Sequence, residues 1–100
     1  MNIKELYDGQ RAVSVEGVIA KKGEPREVRL QRTGETALVA DCLLKDSSGT
    51  ITLTLWNEGI EQVKEGDSVK IENGYTNSFR GELRLNVGRY GKLTVVSTEL

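Results

Sequence analysis

The sequence has no histidine and only one cysteine, Cys42, among its 100 residues. The usual general base and the commonest metal ligand are therefore missing, and neither an internal disulfide bond nor a zinc cluster of thiolates can form. The carboxylates are scattered along the chain, and no pair of them stands out. We therefore expect a protein without catalytic residues, bound metal or cofactor, which favours a binding module over an enzyme.

The sequence also lacks an apolar stretch as long as a membrane span, and Met1–Leu6 shows no signal-peptide pattern. We expect no membrane partner and a soluble intracellular protein, placed in the cytoplasm with the nucleoid or, in a eukaryote, in the nucleus. Leu, Val, Ile and Phe are too frequent for a disordered chain. The 100 residues predict one domain over residues 1–100, because two halves would each approach the size at which disulfides or metals are needed.

The formal net charge of −1 hides an uneven distribution of charge along the chain. Residues 21–32 hold five basic and two acidic residues, and residues 76–93 hold four basic residues and one acidic residue. Between them, residues 35–72 hold eight acidic and three basic residues. If the fold brings the two basic segments together, one face of the protein is cationic. The alternative is a mixed solvated surface, and charge alone does not separate the two.

Alternation of apolar and polar residues predicts a series of β-strands with one short helix. The predicted strands cover residues 12–22, 26–32, 36–45, 50–56, 67–79, 82–87 and 92–96. The helix is predicted over residues 57–66, with Asn57 as its N-cap and Gly66 as its stop. This order predicts an all-β OB-fold, a five-stranded Greek-key barrel with a short helix between the third and fourth strands. An SH3-like barrel is the nearest alternative, but it usually lacks that helix.

Trp56 is the most informative single residue. In the run from Thr50 to Trp56, the aliphatic residues occupy positions 51, 53 and 55, so that Trp56 shares its face with threonines. Strict alternation therefore predicts an indole that points away from the aliphatic core, where it would serve a partner surface such as nucleic-acid bases. The alternative is that Trp56 ends the strand and packs under the helix.

Tyr75 and Phe79 are four residues apart and share one face of a predicted strand. Alternation counted from Val69 and Ile71 would turn both rings inward, so the strand needs a bulge for them to face outward. Asn73-Gly74 is a plausible place for it, because glycine in a strand often marks a bulge. The alternative is two core aromatics, but Phe79 directly precedes a hairpin tip at Arg80-Gly81, where a core ring would be out of place.

Four segments of the sequence together resemble one family of proteins. The segments are Leu53-Thr54-Leu55-Trp56, the run from Val63 through Lys64-Glu65-Gly66-Asp67 to Tyr75, Phe79-Arg80-Gly81, and Leu85-Asn86-Val87-Gly88. They resemble the archaeal single-stranded DNA-binding proteins, and they are similar to the DNA-binding domains of replication protein A and to the human SOSS-type single-stranded DNA-binding subunit. The resemblance covers nearly the whole chain, and it rests on the combination, since each segment alone would be weak.

This resemblance implies that Trp56, Tyr75 and Phe79 stack on bases and that Arg80 contacts the DNA backbone. Some relatives carry an aromatic residue where this chain has Asn86, which makes Asn86 a candidate additional contact. Charge adds further candidates for phosphate contacts, namely Lys21, Lys22, Arg26, Arg29, Arg32 and Arg84. The expected function is binding of single-stranded DNA with little sequence preference, which would protect it during replication, recombination and repair.

Two rival functions stay open on the sequence. The first keeps the fold and binds RNA instead of DNA. The second is an OB-fold subunit of a replication or repair complex whose aromatic face packs against a partner protein. The net charge of −1 favours the second rival, whereas the basic segments and the outward phase of Trp56 argue against it.

Overall fold

A computed structural model describes residues 2–87 and 91–97 of the chain. It contains seven strands among these residues: β1 (Val13–Lys22), β2 (Arg26–Arg29), β3 (Thr36–Lys45), β4 (Thr50–Trp56), β5 (Ser68–Phe79), β6 (Glu82–Asn86) and β7 (Lys92–Ser97). A 3-10 turn, Ile3–Glu5, precedes them, and a short helix, α1 (Glu58–Glu61), lies between β4 and β5. Residues 88–90, part of the second predicted basic segment, lie outside the described residues.

Five of these strands close into a ring. The order is β1-β3-β4-β6-β5, and β5 pairs back onto β1. The β4–β6 pair is parallel, and the other pairs of the ring are antiparallel. The short strand β2 forms a hairpin with β3, and β7 adds to the free side of the first half of β5. The five-stranded arrangement with a helix between its third and fourth strands is therefore the one that the sequence predicts.

The core of the ring is aliphatic. Its most deeply buried large side chains come from five different strands, and they are Ile19, Leu44, Leu53, Ile71 and Leu85. Backbone pairing places these residues side by side, as in the pairs Ile19–Leu44 and Leu53–Leu85. Burying each such side chain contributes roughly 1.5–3 kcal/mol. The sheet thus needs no aromatic ring to fill its interior.

Cys42 belongs to this core and pairs with Leu53 across the β3–β4 ladder. Burial raises the pKa of its thiol, because the charged thiolate loses solvation there. A buried thiol with a raised pKa is a poor nucleophile, which fits a packing role.

The helix is shorter than predicted, and Asn57 occupies its N-cap position, as predicted. Asn57 has a backbone φ of 49°, and no side-chain capping bond is formed. Its side-chain Oδ1 instead accepts a hydrogen bond from the Leu38 amide (3.0 Å), and its own amide donates to the Leu38 carbonyl (2.9 Å). The amide of Lys64 donates to Asp67 Oδ2 (2.9 Å), which forms a turn where a second helical turn was expected. Among the described residues, no helix is long and apolar enough to cross a membrane.

Asp46 fixes the N-terminal segment to one end of the ring. Its Oδ2 accepts from the Ile3 amide (2.8 Å), and its Oδ1 accepts from the amide (2.7 Å) and hydroxyl (2.6 Å) of Ser48. These donors lower the pKa of the Asp46 carboxyl from 3.8 to about 2, with the Ser48 hydroxyl as the largest cause. Ile3 and Leu6 are buried beside it, so that the segment covers that end of the core.

We predict that Asp46→Asn removes part of the acid sensitivity of the fold. The folded-state pKa of Asp46 lies below its ordinary value, so its stabilisation is complete above pH 3.8 and is lost as the pH falls towards about 2. Urea denaturation across this range should show the variant as less stable at neutral pH, with a gap to the wild type that closes in acid. A gap that stays constant between pH 5 and pH 2 would contradict the role given to this carboxylate.

Candidate nucleic-acid interface

The outward faces of β3, β4, β6 and β5 form one continuous surface. Pairing places Asp41 beside Thr54, Thr54 beside Asn86, and Asn86 beside Tyr75, so that these four residues share a row. The neighbouring rows place Trp56 beside Val39 and Asn77 beside Arg84. The β2–β3 hairpin borders this surface on one side, and the β5–β6 hairpin borders it on another. We call it the groove face.

Three aromatic rings are exposed on the groove face. The exposed fractions are 44% for Trp56, 41% for Tyr75 and 53% for Phe79. Trp56 lies between two hollows, a larger one of about 690 Å³ that includes Tyr75 and a smaller one of about 500 Å³ that includes Phe79. The outward direction predicted for Trp56 is confirmed, and its ring borders α1 without being covered by it.

The bulge predicted in β5 is present, and it turns two of these rings outward. Pairing with β1 shifts between Val15–Ile71 and Val13–Gly74, so that β5 uses one residue more than β1 over this stretch. Asn73 has a φ of 56°, in the left-handed region that asparagine tolerates better than most residues. Before the bulge Ile71 faces the core, and after it Tyr75 faces the groove.

Gly74 completes the bulge because no side chain fits there. A Cβ atom on Gly74 would lie 2.8 Å from the Asn86 carbonyl oxygen and 3.2 Å from Cγ2 of Ile71. The backbone of β6 thus approaches β5 more closely at this point than an alanine would allow.

Phe79 stands at the end of β5, next to a tight hairpin. Arg80 and Gly81 both have positive φ angles, 54° and 79°, which is the pattern of a type I′ turn. The guanidinium carbons of Arg80 and Arg84 lie 5.3 Å and 5.2 Å from the centre of the Phe79 ring. Both distances are within the range of a cation–π interaction.

Two of the predicted phosphate contacts, Arg26 and Arg84, form ion pairs on the groove face. Nη1 of each arginine lies 3.3 Å from the Asp41 carboxylate, and Arg84 also approaches Glu82 (3.5 Å). The side chain of Arg84 is 19% exposed. The structure therefore places Arg84 in the floor of the groove and not at a rim where a phosphate would first arrive.

The other predicted cations divide into two groups. Arg29 lines the smaller hollow, and Lys21, Arg32 and Arg80 are exposed around the groove face. Lys22 differs from these residues. It lies opposite the core-facing Cys42 in the β1–β3 backbone pairing, and its Nζ donates to the Val63 carbonyl (3.0 Å). Lys22, a predicted phosphate contact, thus lies on the core side of the sheet, away from the groove face.

The sequence analysis missed two polar residues of the groove, Asn77 and Asp41. Asn86, the predicted additional contact, is buried, and its Nδ2 donates to Oδ1 of the exposed Asn77 (3.1 Å). Asp41 was counted only as part of the acidic middle segment. Its position on β3, outward between Ala40 and Cys42, was the available signal. Among residues 2–87 and 91–97, no cluster of three or more acidic or cysteine side chains could hold a metal ion.

The model of the Ssb-like single-stranded DNA-binding proteins, an OB-fold family, matches residues 10–95. The chain belongs to this family. Its members are binding proteins and not enzymes, which confirms the class expected from the missing histidine.

Individual relatives agree with the family. The chain is 29% identical over 97 residues to the single-stranded DNA-binding protein Ssb of Saccharolobus solfataricus, and it spans 64% of that protein's length. It is 34% identical over 88 residues to replication factor A of Methanothermobacter thermautotrophicus, and it spans 11% of that protein. The second OB-fold domain of replication protein A from Methanococcus maripaludis superimposes with a TM-score of 0.80 at 24% identity, over 100% of this chain and 97% of that one. The predicted OB-fold is thereby confirmed.

We predict that Gly74→Ala destabilises the protein by about 1–3 kcal/mol, because the added methyl group meets the β6 backbone. Urea denaturation measures the change. Gly59→Ala is the matched control, since a Cβ at this helical position meets nothing within 4 Å. Alanine should be neutral or slightly stabilising there. Equal changes in the free energy of unfolding for the two substitutions would show that the close approach of β6 to the bulge does not restrict the residue at position 74.

Proposed function

We propose that residues 1–100 form a single OB-fold domain that binds single-stranded DNA across the groove face. The observation that carries this proposal is the exposure of Trp56, Tyr75 and Phe79 on one continuous surface. Three large rings exposed together are costly for a protein that has no partner for them. The relatives named for single-stranded DNA binding and for replication support the same ligand.

Stacking supplies most of the binding energy in this proposal. Each base that stacks on an aromatic ring contributes about 1–3 kcal/mol, whatever its identity. Trp56 and Phe79 lie on strands two apart in the sheet and at opposite ends of the groove. Strand spacing and rise place their Cα atoms about 20 Å apart, which corresponds to the short end of the 4–16 nucleotides that OB-folds cover. Duplex DNA should bind poorly, because its bases are already stacked.

Phosphates are held at the margins of the groove by its exposed cations. These are Lys21, Arg29, Arg32 and Arg80. Arg26 joins them when it leaves Asp41, since its pair is 3.3 Å long and its side chain is half exposed. A surface ion pair of this kind contributes about 0–1 kcal/mol, so a phosphate can replace it at little cost.

We predict that Phe79→Ala weakens binding of oligo-dT by about 1–3 kcal/mol, because one stacking ring is lost. The measurement is quenching of the intrinsic fluorescence of Trp56, the only tryptophan, during titration. Tyr7→Ala is the matched control, since Tyr7 is 63% exposed but does not border either hollow of the groove. Both variants should keep the wild-type free energy of unfolding within about 1 kcal/mol. A large loss of stability in Phe79→Ala would mean that this ring belongs to the core, and absence of quenching would remove the stacking model.

We also predict that log K falls with log salt at a slope of roughly −2 to −3.5, as expected when three to five phosphates of a single strand are neutralised. Arg80→Gln should reduce the magnitude of this slope by about 0.7, the contribution of one contact. Lys70→Gln is the control and should leave the slope unchanged. Backbone pairing places Lys70 between Glu16 of β1 and Thr94 of β7, on the opposite side of the protein from the groove face. A response that is flat in salt would exclude the phosphate contacts.

A further inference from the structure

A carboxylate stands on a surface that is proposed to bind a polyanion. Asp41 lies on β3 directly beside Thr54, in the row that Tyr75 ends. Its charge opposes the approach of phosphates, so its position calls for a different explanation. The side chain is 29% exposed, so a ligand can reach it.

The stacking geometry determines which part of a nucleotide would meet Asp41. When base planes rest on Trp56 and Phe79, the sugar-phosphate chain runs along the outside of the groove, where the exposed cations lie. The edges of the bases then point to the floor between the rings. Asp41 borders that floor from β3, with its carboxylate 3.3 Å from Nη1 of Arg84, and so it faces a base edge and not a phosphate.

The bonds that Asp41 makes in the protein are long enough for a base to replace one of them. Oδ1 accepts from Arg84 Nη1 at 3.3 Å and from the Thr54 hydroxyl at 3.4 Å, and Oδ2 accepts from Arg26 Nη1 at 3.3 Å and from Arg84 Nη1 at 3.5 Å. Charge-assisted hydrogen bonds are usually about 2.7–2.9 Å long, so these are weak ones. They occupy the roughly four lone-pair sites of the carboxylate, and a base amino group can take the place of the 3.5 Å bond while Arg84 keeps its bond to Oδ1.

The pair of Asp41 and Arg84 has a defined complement among the bases. Asp41 only accepts hydrogen bonds, and the adjacent guanidinium of Arg84 only donates them. Cytosine offers an amino donor next to the N3 and O2 acceptors, which matches the pair. Thymine offers two carbonyl acceptors around a single N–H, and these carbonyls repel a carboxylate.

We propose that Asp41, backed by Arg84, is a specificity-determining residue that accepts a hydrogen bond from the exocyclic amino group of a base. The groove therefore prefers cytosine to thymine at the nucleotide above it. This inference rests on the proposed function, and it refines the expected indifference to sequence at one position of the bound strand.

The test compares oligo-dC and oligo-dT of equal length by quenching of Trp56 fluorescence at mildly alkaline pH. The two pyrimidines have similar ring size, so stacking and phosphate contacts largely cancel in the ratio of their affinities. The wild-type protein should bind oligo-dC at least about fivefold more tightly, the lower range for a specific contact to a base edge. Asp41→Asn should bring the ratio close to one, because the amide both donates and accepts and so suits either base.

Glu82→Gln is the matched control for charge. It removes one negative charge from the same face and from the same arginine, which Glu82 approaches at 3.5 Å. The ratio of the two affinities should stay at its wild-type value in this variant, even if both affinities rise. Urea denaturation of both variants checks that each remains folded.

Equal binding of oligo-dC and oligo-dT by the wild-type protein would overturn the inference. So would a preference for oligo-dC that survives in Asp41→Asn, or one that disappears equally in Glu82→Gln. Absence of binding to either oligonucleotide is a different outcome, because it would overturn the proposed function itself.

Discussion

One additional residue in β5 is the constraint on which the rest of the protein depends. In this strand of twelve residues, the odd-numbered side chains face the core before the bulge and the groove after it. Because side chains alternate along a strand, only a shift of one residue lets Ile71 and Tyr75 point in opposite directions. Gly74 makes the shift compatible with close packing against β6. β5 thus closes the ring of strands by pairing with β1. It presents the side chains of Tyr75 and Phe79 on the part that pairs with β6.

The distribution of aromatic residues follows from this division. Every ring among the residues that the structure describes is exposed, while the buried core cluster consists of aliphatic side chains and Cys42. Aliphatic residues alone close the ring of strands, so the fold does not need Trp56, Tyr75 or Phe79. Rings that are exposed and lie outside the core cluster are available for a ligand, and we therefore expect their truncation to affect binding more than stability.

The sequence predicted those features that depend on neighbours along the chain. Alternation in β4 predicted the direction of Trp56. A bulge at Asn73-Gly74 was predicted because Tyr75 and Phe79 could not otherwise face outward. The contacts that the sequence could not predict involve partners that are remote along the chain. Lys22 is drawn to the Val63 carbonyl, 41 residues away, and Arg84 to Asp41, 43 residues away. Which cation remains available depends on such contacts, and these arise only when the ring of strands has closed.

The charges of the groove explain how a protein with a net charge of −1 can still suit a polyanion. Overall charge governs long-range attraction, which physiological salt screens beyond about 8 Å. Contacts within the groove act at shorter range, and there stacking does not depend on charge at all. In the proposed binding mode, the carboxylate of Asp41 reduces the general attraction for DNA but costs little, because its neighbours are base edges and not phosphates. It also holds the guanidinium of Arg84 in the floor of the groove before any ligand arrives. Groups that are already positioned lose less conformational entropy on binding. Asp41, beside the floor of the groove, is thus better understood as part of its recognition surface than as a defect in its charge.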